Sequence, residues 1–529
     1  MGDIYDIYYK MNVPRDEHED QLARERVDRW IFIAMLATIA IVPLLVGGHV
    51  TEFVSPLITE KSLLTTGRKG DIFNYYKFVF LLIATSLVVS LFLYKLLFLN
   101  YILPKRSILW FFFIFALGIV VSTVFAPYKT LALYGQPGRS DGALSYICYL
   151  LLMFVAMHIQ YPKKAVSYVL YSLYPFVLIN FTLSIMNFLG HDALTYKVVK
   201  NAITAFLPEG AKLAERSQLL GTLDQWNFMS GMFGVMTVMY LAWAIIDKHL
   251  LRRLFNLFVA LISFAIVLMS VSTSGFLTII LLLPFLFFLA FKSSNKKIAL
   301  TFMIVFLVAS IPILHVLASK NPKVWSESVG FLIKHNPYEQ SAPSAMVPVQ
   351  PIKGFVLTSK VYAAENEGFS LPELPEPGVA AGSGRLYIWK KTLEITMDRF
   401  IVGYGLDTLP YHFPQDDIEK RAGLGTQNVV VDKPHNIYIG ILYGTGIIGF
   451  IGFIGLVLMT LWKIGQEFWT FEKMQNATIV FGFAWVAYLI QSLFNDTLPG
   501  TAAPLWALAG IMLALMYQHE QSEKEINSK

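Results

Sequence analysis

His435 and Asn436 close a polar turn, Asp432-Lys433-Pro434-His435-Asn436, that opens directly onto the apolar stretch starting at Ile437. An imidazole titrates near neutral pH and can accept a hydroxyl proton. Three arginines, Arg139, Arg216 and Arg385, stand in other polar segments between apolar runs. A guanidinium stays charged, and its planar fork donates two hydrogen bonds to one phosphate group. An arginine set with one histidine suits group transfer from a lipid pyrophosphate to a hydroxyl acceptor. The arginines hold the pyrophosphate and stabilise the charge that develops as it leaves, the histidine takes the proton, and no metal is needed. The plainer role for His435 is to anchor a helix end at a membrane interface.

Other chemistries lack their residues. There is no His-Glu-x-x-His and no Walker loop. The single cysteine, Cys148, lies in an apolar run, which excludes disulfides, zinc ribbons and iron–sulfur clusters within one chain. The acidic run Glu17-His18-Glu19-Asp20 reads as a solvated charge cluster rather than a metal site. No cofactor is implied.

The elements that must position these residues are membrane helices. Of 529 residues 55% are hydrophobic and only 15% charged, which places the chain outside the soluble class. Apolar runs of spanning length recur about twelve times. Their approximate cores are 30–49, 75–97, 107–125, 142–160, 165–189, 226–246, 253–271, 274–292, 297–318, 436–462, 476–495 and 501–517. The expected class is therefore all-α, a polytopic membrane bundle. The net charge of +6 does not indicate nucleic acid, because Lys and Arg cluster in alternate short loops: Lys105 and Arg106, Lys163 and Lys164, Lys248 with Arg252 and Arg253, Lys296 and Lys297, Lys463 and Lys473. That alternation puts those loops and both termini in the cytoplasm. The first run follows about thirty polar residues and is expected to be a retained helix rather than a cleaved signal. The organisation expected is a cytoplasmic segment over 1–29, nine spans over 30–318, a large external loop over 319–435, three spans over 436–517 and a cytoplasmic tail over 518–529.

The outer loops 50–74, 126–141 and 190–225 nonetheless carry basic residues, Arg139 and Arg216 among them, and binding an anion at the outer face is one reason to keep them there. The large loop is uneven. Residues 336–381 are rich in Pro, Ser, Ala and Glu and are expected to be extended. From Arg385 the spacing of Leu386, Ile388, Trp389, Leu393, Ile395 and Met397 predicts an amphipathic helix that lies on the membrane or caps a cavity, and Gly403-Tyr404-Gly405 then turns the chain. Carboxylates are nearly absent from the centres of the apolar runs, which weighs against a proton-coupled transporter.

These motifs, in this order, resemble the O-antigen ligase and polymerase superfamily of integral-membrane oligosaccharide transferases. Arg385 with Trp389, followed by Gly403-Tyr404-Gly405, is similar to the family's Arg-x-x-x-Trp and Gly-x-Gly pattern. Pro434-His435-Asn436 with Gly446-Ile447-Ile448-Gly449 is similar to its His-Asn and Gly-x-x-Gly helix start. Gly138-Arg139-Ser140-Asp141-Gly142 resembles an Arg-containing outer turn, and Arg216, Gly221-Thr222 and Asn227 resemble a further Arg, Gly-Thr and Asn pattern. Two departures stand out: Ser274 is followed by Gly275 and Phe276 where members often carry Arg, and only Asn227 remains of the usual Asn-Pro-Asn.

The resemblance implies a GT-C-like helical bundle in a bacterial cytoplasmic membrane. It implies inverting, metal-independent transfer of a glycan from undecaprenyl pyrophosphate to a hydroxyl on a sugar, lipid or protein, at the outer face. His435 would be the general base, with Arg385 and Arg216 on the pyrophosphate and Arg139 assisting. Asn436, Trp389, Asn227, Gly403 and Gly405 would serve substrate binding. The prenyl tail would enter between helices, through an outer-face cavity open sideways. A transporter or flippase of lipid-linked glycans and a non-catalytic membrane scaffold are the competing readings. Inverted repeats would mark the transporter, and tolerance of His435 and Arg385 substitution would mark the scaffold.

Overall fold

The computed structural model describes residues 17–211, 213, 218–339, 375–379, 383–469 and 476–527. Arg216 and most of the Pro-rich 336–381 stretch lie outside the described residues. In chain order the α-helices are α1 Glu17–Ile41, α2 Tyr75–Phe98, α3 Ile108–Phe125, α4 Lys129–Tyr134, α5 Ala143–Ala156, α6 Ala165–Phe188, α7 Lys197–Thr204, α8 Trp226–Ile246 and α9 Leu250–Met269. They continue with α10 Thr273–Lys292, α11 Lys296–Lys320, α12 Lys323–Ser326, α13 Arg385–Asp398, α14 Lys420–Leu424, α15 Ile437–Trp469, α16 Asn476–Gln491 and α17 Pro499–Asn527. Among the described residues, ten helical segments have the length and apolarity to cross a membrane, and α5 and α16 contribute two shorter apolar helices. The protein is thus an all-α polytopic membrane bundle, with its helices where the apolar runs predict them. Among the described residues, the elements not expected are the short helices α4, α7, α12 and α14 and a small antiparallel hairpin, β1 His49–Phe53 and β2 Gly67–Asp71, paired His49 to Asp71 and Phe53 to Gly67.

Helix α8 is apolar all round and is therefore the central helix: every residue from Phe228 to Ile246 is buried. Glycines set how closely its neighbours approach. A methyl at Gly275 of α10 would lie 2.1 Å from the Ser230 carbonyl oxygen of α8. On α15, Gly449 and Gly452 meet the α3 backbone closely enough that a methyl at Gly118 would lie 2.2 Å from Gly449 Cα and one at Gly452 2.3 Å from Phe115 N. Small residues let membrane helices pack backbone to backbone.

α15 is not continuous. Gly446 has φ 63° and ψ −171°, a break that frees backbone groups inside the bundle. The segment after α13 satisfies them: Tyr404 N donates to Tyr443 O (3.0 Å), Gly405 N to Gly444 O (2.9 Å), and Ile447 N to Phe400 O (2.8 Å). A broken helix at membrane depth requires such protein partners, because lipid offers none. The region after Gly384 is thereby docked onto α15, and Tyr387 and Ile388 of α13 pack with Leu409, Phe413, Val431 and Tyr443. α13 is a cap on this end of the bundle.

Two buried lysines tie the bundle together. Lys77 donates to the carbonyls of Leu45 (2.6 Å), Phe73 (2.6 Å) and Thr222 (2.7 Å), joining three connections at the capped end. At the far end Lys95 meets Asp28 at 2.6 Å, and Asp28 also accepts from Gln160 N at 3.0 Å.

Candidate functional site

Four connections meet at the capped end: 135–142, 405–408, 429–436 and 492–498. Three of them contribute a non-glycine residue in the left-handed region, Ser140 (φ 54°), Asp407 (φ 60°) or His435 (φ 52°). Such conformations are costly for side-chain-bearing residues and concentrate where the surroundings fix them. His435 occupies its turn between two fixed points. Before it, the Pro434 carbonyl accepts from the Trp389 indole at 2.7 Å. After it, Asn436 Oδ1 accepts from Ile439 N at 3.1 Å, capping α15, and Ile437 N donates to Ser492 O at 2.8 Å.

That last bond brings the turn after α16 against His435. Asp496 Oδ2 lies 2.8 Å from His435 Nδ1. The approach is an ion-pair contact, since Oδ2 has no aligned hydrogen bond among the described residues. Burial disfavours charge on His435, but Asp496, with support from Asp432, outweighs it and holds the imidazole above its ordinary value. Burial likewise opposes ionisation of Asp496, yet His435, Lys433 and Arg139 hold its carboxyl well below the usual range. The His435 side chain remains 31% exposed while that of Asp496 is 4% exposed, so the carboxylate is enclosed behind a ring that is still partly open.

Behind this pair lies a buried network. Arg139 Nη1 donates to Asp432 at 2.6 Å, and its guanidinium lies 3.8 Å from Asp496 and 4.0 Å from Asp407. Lys433 reaches Asp141 at 3.0 Å and Asp407 at 3.4 Å. Asp407 is also held by Gln136, through the backbone N–H at 2.8 Å and the side-chain amide at 2.9 Å. Thr497 donates to Asp141, and Tyr146 bonds Thr497 at 2.6 Å. Two permanent cations thus face four carboxylates, an excess of negative charge that explains why His435 favours its proton. Burial, with Asp407 nearby, also pushes the Asp141 carboxyl up against the pull of Lys433.

The expected residues divide accordingly. Arg385 begins α13 after Gly384 (φ 80°), is half-buried, and has no ion pair or hydrogen bond among the described residues, although it feels the fields of Asp496 and Glu327. It is a cation of the kind an anion site requires. Arg139 is already occupied by three carboxylates and only 10% exposed, so its position is that of a network member rather than a free grip on a ligand. Trp389 spends its indole N–H on Pro434, which fixes the His435 turn. Asn227 sits between the turns, accepting from Ser272 Oγ at 3.0 Å and, through its carbonyl, from Asn495 Nδ2 at 2.9 Å. Gly403 (φ 71°) and Gly405 (φ 94°) lie in the break of α15, where a methyl on Gly403 would stand 2.5 Å from the Gly444 carbonyl oxygen; there they serve backbone docking. Arg216, the other expected arginine, is not among the described residues.

Sequence reasoning missed Asp496, Asp407 and the pairing of Lys433. The available signal was Asn495-Asp496-Thr497, a charged turn between two apolar runs on the face to which span alternation also assigns His435. No group of three or more His, Cys, Asp or Glu residues with metal-holding geometry occurs among the described residues.

Comparison with known proteins bears on this same region. Residues 258–454, which include Arg385, Trp389, His435 and Asn436, match the family model described as O-antigen ligase. The match ends before Asp496 and begins after Arg139 and Asp141. No match was found among curated proteins.

Proposed function

We propose that the chain, whose residues 258–454 match the O-antigen ligase family model, is a member of the O-antigen ligase/polymerase superfamily that transfers a glycan from undecaprenyl pyrophosphate to a hydroxyl acceptor at the outer face of a bacterial cytoplasmic membrane. The observation that carries this reading is the His435–Asp496 contact at 2.8 Å, together with a half-buried Arg385 that feels the field of Asp496 and has no ion pair or hydrogen bond among the described residues.

The chemistry follows from that geometry. Asp496 engages Nδ1, which leaves Nε2 as the atom that takes the acceptor proton. The acceptor oxygen attacks the anomeric carbon, the bond from that carbon to the pyrophosphate oxygen breaks, and undecaprenyl pyrophosphate departs with the electron pair. A single displacement inverts the anomeric centre. Arg385, with Arg216, holds the pyrophosphate and stabilises its growing charge. Asp496 stabilises the imidazolium formed on His435. Arg139 and Lys433 keep Asp432, Asp407 and Asp141 from repelling the donor and hold the four connections in register. Arg385 and Arg216 are the cations this reading leaves for the leaving group, and the proposed transfer uses no metal. Cytoplasmic termini and an external 319–435 loop are the topology this reaction needs.

The test is glycan transfer in membranes carrying a lipid-linked oligosaccharide pool, at matched protein level. His435→Ala is expected to lose about 10²–10⁴-fold in turnover, Arg385→Ala to lose most product, and a chelator to leave wild type unchanged. Near-normal transfer by His435→Ala removes it as the base and favours a scaffold or a transporter. Loss of wild-type activity in chelator overturns metal-free transfer.

A further inference from the structure

A cavity of ≈ 360 Å³ opens at the capped end, between the loop that joins β1 to β2 and the segment 410–417. His435, Asp496 and Arg385 are not among its walls. Its floor is apolar: Leu64, Pro410 and Phe413 are buried, while Ile58 stands fully exposed beside them. Its rim is polar. Lys61 of the loop pairs with Asp416 of the segment, and the Asp416 side chain is 94% exposed. Asp417 is met by Lys391 at 3.1 Å and by the Tyr387 hydroxyl at 2.9 Å.

Both walls are held in place. In the loop, Leu64 N donates to Lys61 O at 2.8 Å, Ser55 N to Thr66 Oγ1 at 3.0 Å and Lys69 Nζ to Ser62 O at 2.6 Å. Leu64 packs with Leu131 of α4 and with Tyr411. The other wall is tied at both ends to the connections that carry the site. It starts just after Asp407, which Gln136 and Lys433 hold. Near its far end the buried Gln415 clasps Val431: Oε1 accepts from Val431 N at 3.0 Å, and Nε2 donates to Val431 O at 2.7 Å. Lys420 Nζ donates in turn to Gln415 O at 2.9 Å. From Val431 the chain runs on to His435, at most about 14 Å away even if fully extended.

The lining says what class of ligand fits. A phosphate or carboxylate needs an unopposed cation, and Lys61 is already answered by Asp416. A wholly apolar ligand would strip water from the Lys61 and Asp416 charges and offer no hydrogen bonds in return. A saccharide suits both halves of the cavity. Its C–H faces match the Phe413 ring and the prolines, and its hydroxyls match Asp416 as an acceptor and Lys61 and Thr59 as donors. The volume lies at the small end of the roughly 300–1,000 Å³ usual for ligand sites, which suits a short stretch of sugar.

We propose that this cavity is a saccharide subsite, which holds by its hydroxyls and ring faces a sugar of the glycan substrate beyond the one that reacts. The inference rests on the proposed glycan transfer and deepens it: a glycan that reaches from His435 to the Lys61–Asp416 rim is preferred over a shorter one. Donor and acceptor glycans share this chemistry, and the two arms of the test tell them apart.

The test uses Asp416→Ala, which deletes a rim acceptor, and Thr59→Trp, which fills the cavity, in the full-length protein in membranes. The probes are oligosaccharides of one repeat unit or of several, prepared from the cell's own lipid-linked pool and supplied either as pyrophosphate donor or as acceptor. In one arm, wild-type kcat/KM is expected to rise with glycan length. Both variants are expected to lose about tenfold on the long substrate, the effect of one or two hydrogen bonds, and to leave the shortest unchanged. A rise in the donor arm assigns the subsite to the donor, and one in the acceptor arm to the acceptor. No rise in either arm, a rise that both variants retain, or an equal fall for short and long substrates overturns the proposal. A second measurement needs no turnover: a free oligosaccharide of several repeats bearing a diazirine is photolysed with the protein, and labelled peptides are mapped. Labelling over 57–64 and 410–417 in wild type and in His435→Ala, competed by unlabelled oligosaccharide, unmoved by added salt and lost in Thr59→Trp, supports it. Labelling elsewhere, or none, overturns it. In that case intact wild-type transfer with an inactive His435→Ala leaves the transferase reading standing. Labelling of the cavity with a fully active His435→Ala removes that reading instead and leaves the saccharide subsite.

Discussion

Replacing Asp496 by Asn removes one buried charge and keeps the side-chain shape, and the structure says where the cost falls. Asp496 faces His435 at 2.8 Å and Arg139 at 3.8 Å. Arg139 retains Asp432 at 2.6 Å and Asp407 at 4.0 Å. Lys433 retains Asp141 at 3.0 Å and Asp407 at 3.4 Å. Only His435 loses its one direct partner. Breaking an isolated buried ion pair costs about 3–5 kcal/mol; with the other cations still neutralised, about 1–3 kcal/mol is expected, read as a lower unfolding temperature in detergent. The activity cost is larger. Imidazolium formed in the transition state is no longer stabilised, so turnover should fall roughly 10²–10³-fold. The pH dependence moves with a definite sign. Wild-type His435 is held above its ordinary value by Asp496, and it accepts a proton only when neutral, so the rate rises with pH through that elevated value. In Asp496→Asn burial acts without that opposition, and the rising limb shifts to lower pH. The assay is the initial rate of glycan transfer in membranes from about pH 5 to 9. A variant within about threefold of wild type, with its limb unmoved, would refute the His435–Asp496 dyad as the proton-transfer unit.

Two further substitutions separate positioning from chemistry. Trp389→Phe deletes the indole donor to Pro434 O at 2.7 Å; stability should drop by about 1 kcal/mol, and turnover should fall several-fold with little change in KM, as the His435 turn loosens. An unchanged turnover would show that the bond does not hold His435 in place. Gly446→Ala forces a side chain onto φ 63° with its methyl 2.3 Å from Ile401 O, and should cost at least about 1–3 kcal/mol. Detergent unfolding at wild-type temperature would show that the break in α15 tolerates a side chain.

The membrane helices were legible in the chain itself. A ~30 Å hydrocarbon layer demands about 20 apolar residues per helix, whatever the tertiary packing, and each apolar run is a helix. α16 and α5 are the shortest of them, Asn476–Gln491 and Ala143–Ala156. The hairpin of β1 and β2 escaped notice because Gly67-Arg68-Lys69-Gly70-Asp71 has no strand-like alternation; its last residue, Asp71, ties it to the start of α2 by accepting from Tyr75 N at 2.6 Å.

At the site, residue type pointed to His435 and Arg385, because imidazole and guanidinium carry their chemistry wherever they stand. Their environment was another matter. Arg139 and Asp432 are 293 residues apart, and Lys433 and Asp141 are 292 apart; no local pattern encodes such pairs. Arg139 looks like an anion grip until three carboxylates are seen around it. Gly403 and Gly405 look like a ligand loop until their backbone is found in the break of α15. Asp496 was an ordinary turn residue until Ile437 N met Ser492 O and set it beside His435. Hydrophobic run length is a property of consecutive residues, so the sequence by itself determined the membrane helices and the kinds of chemistry available. Charge pairing is a property of distance in space, so only the tertiary structure decided which carboxylate answers which cation, and hence which histidine nitrogen is left for a substrate.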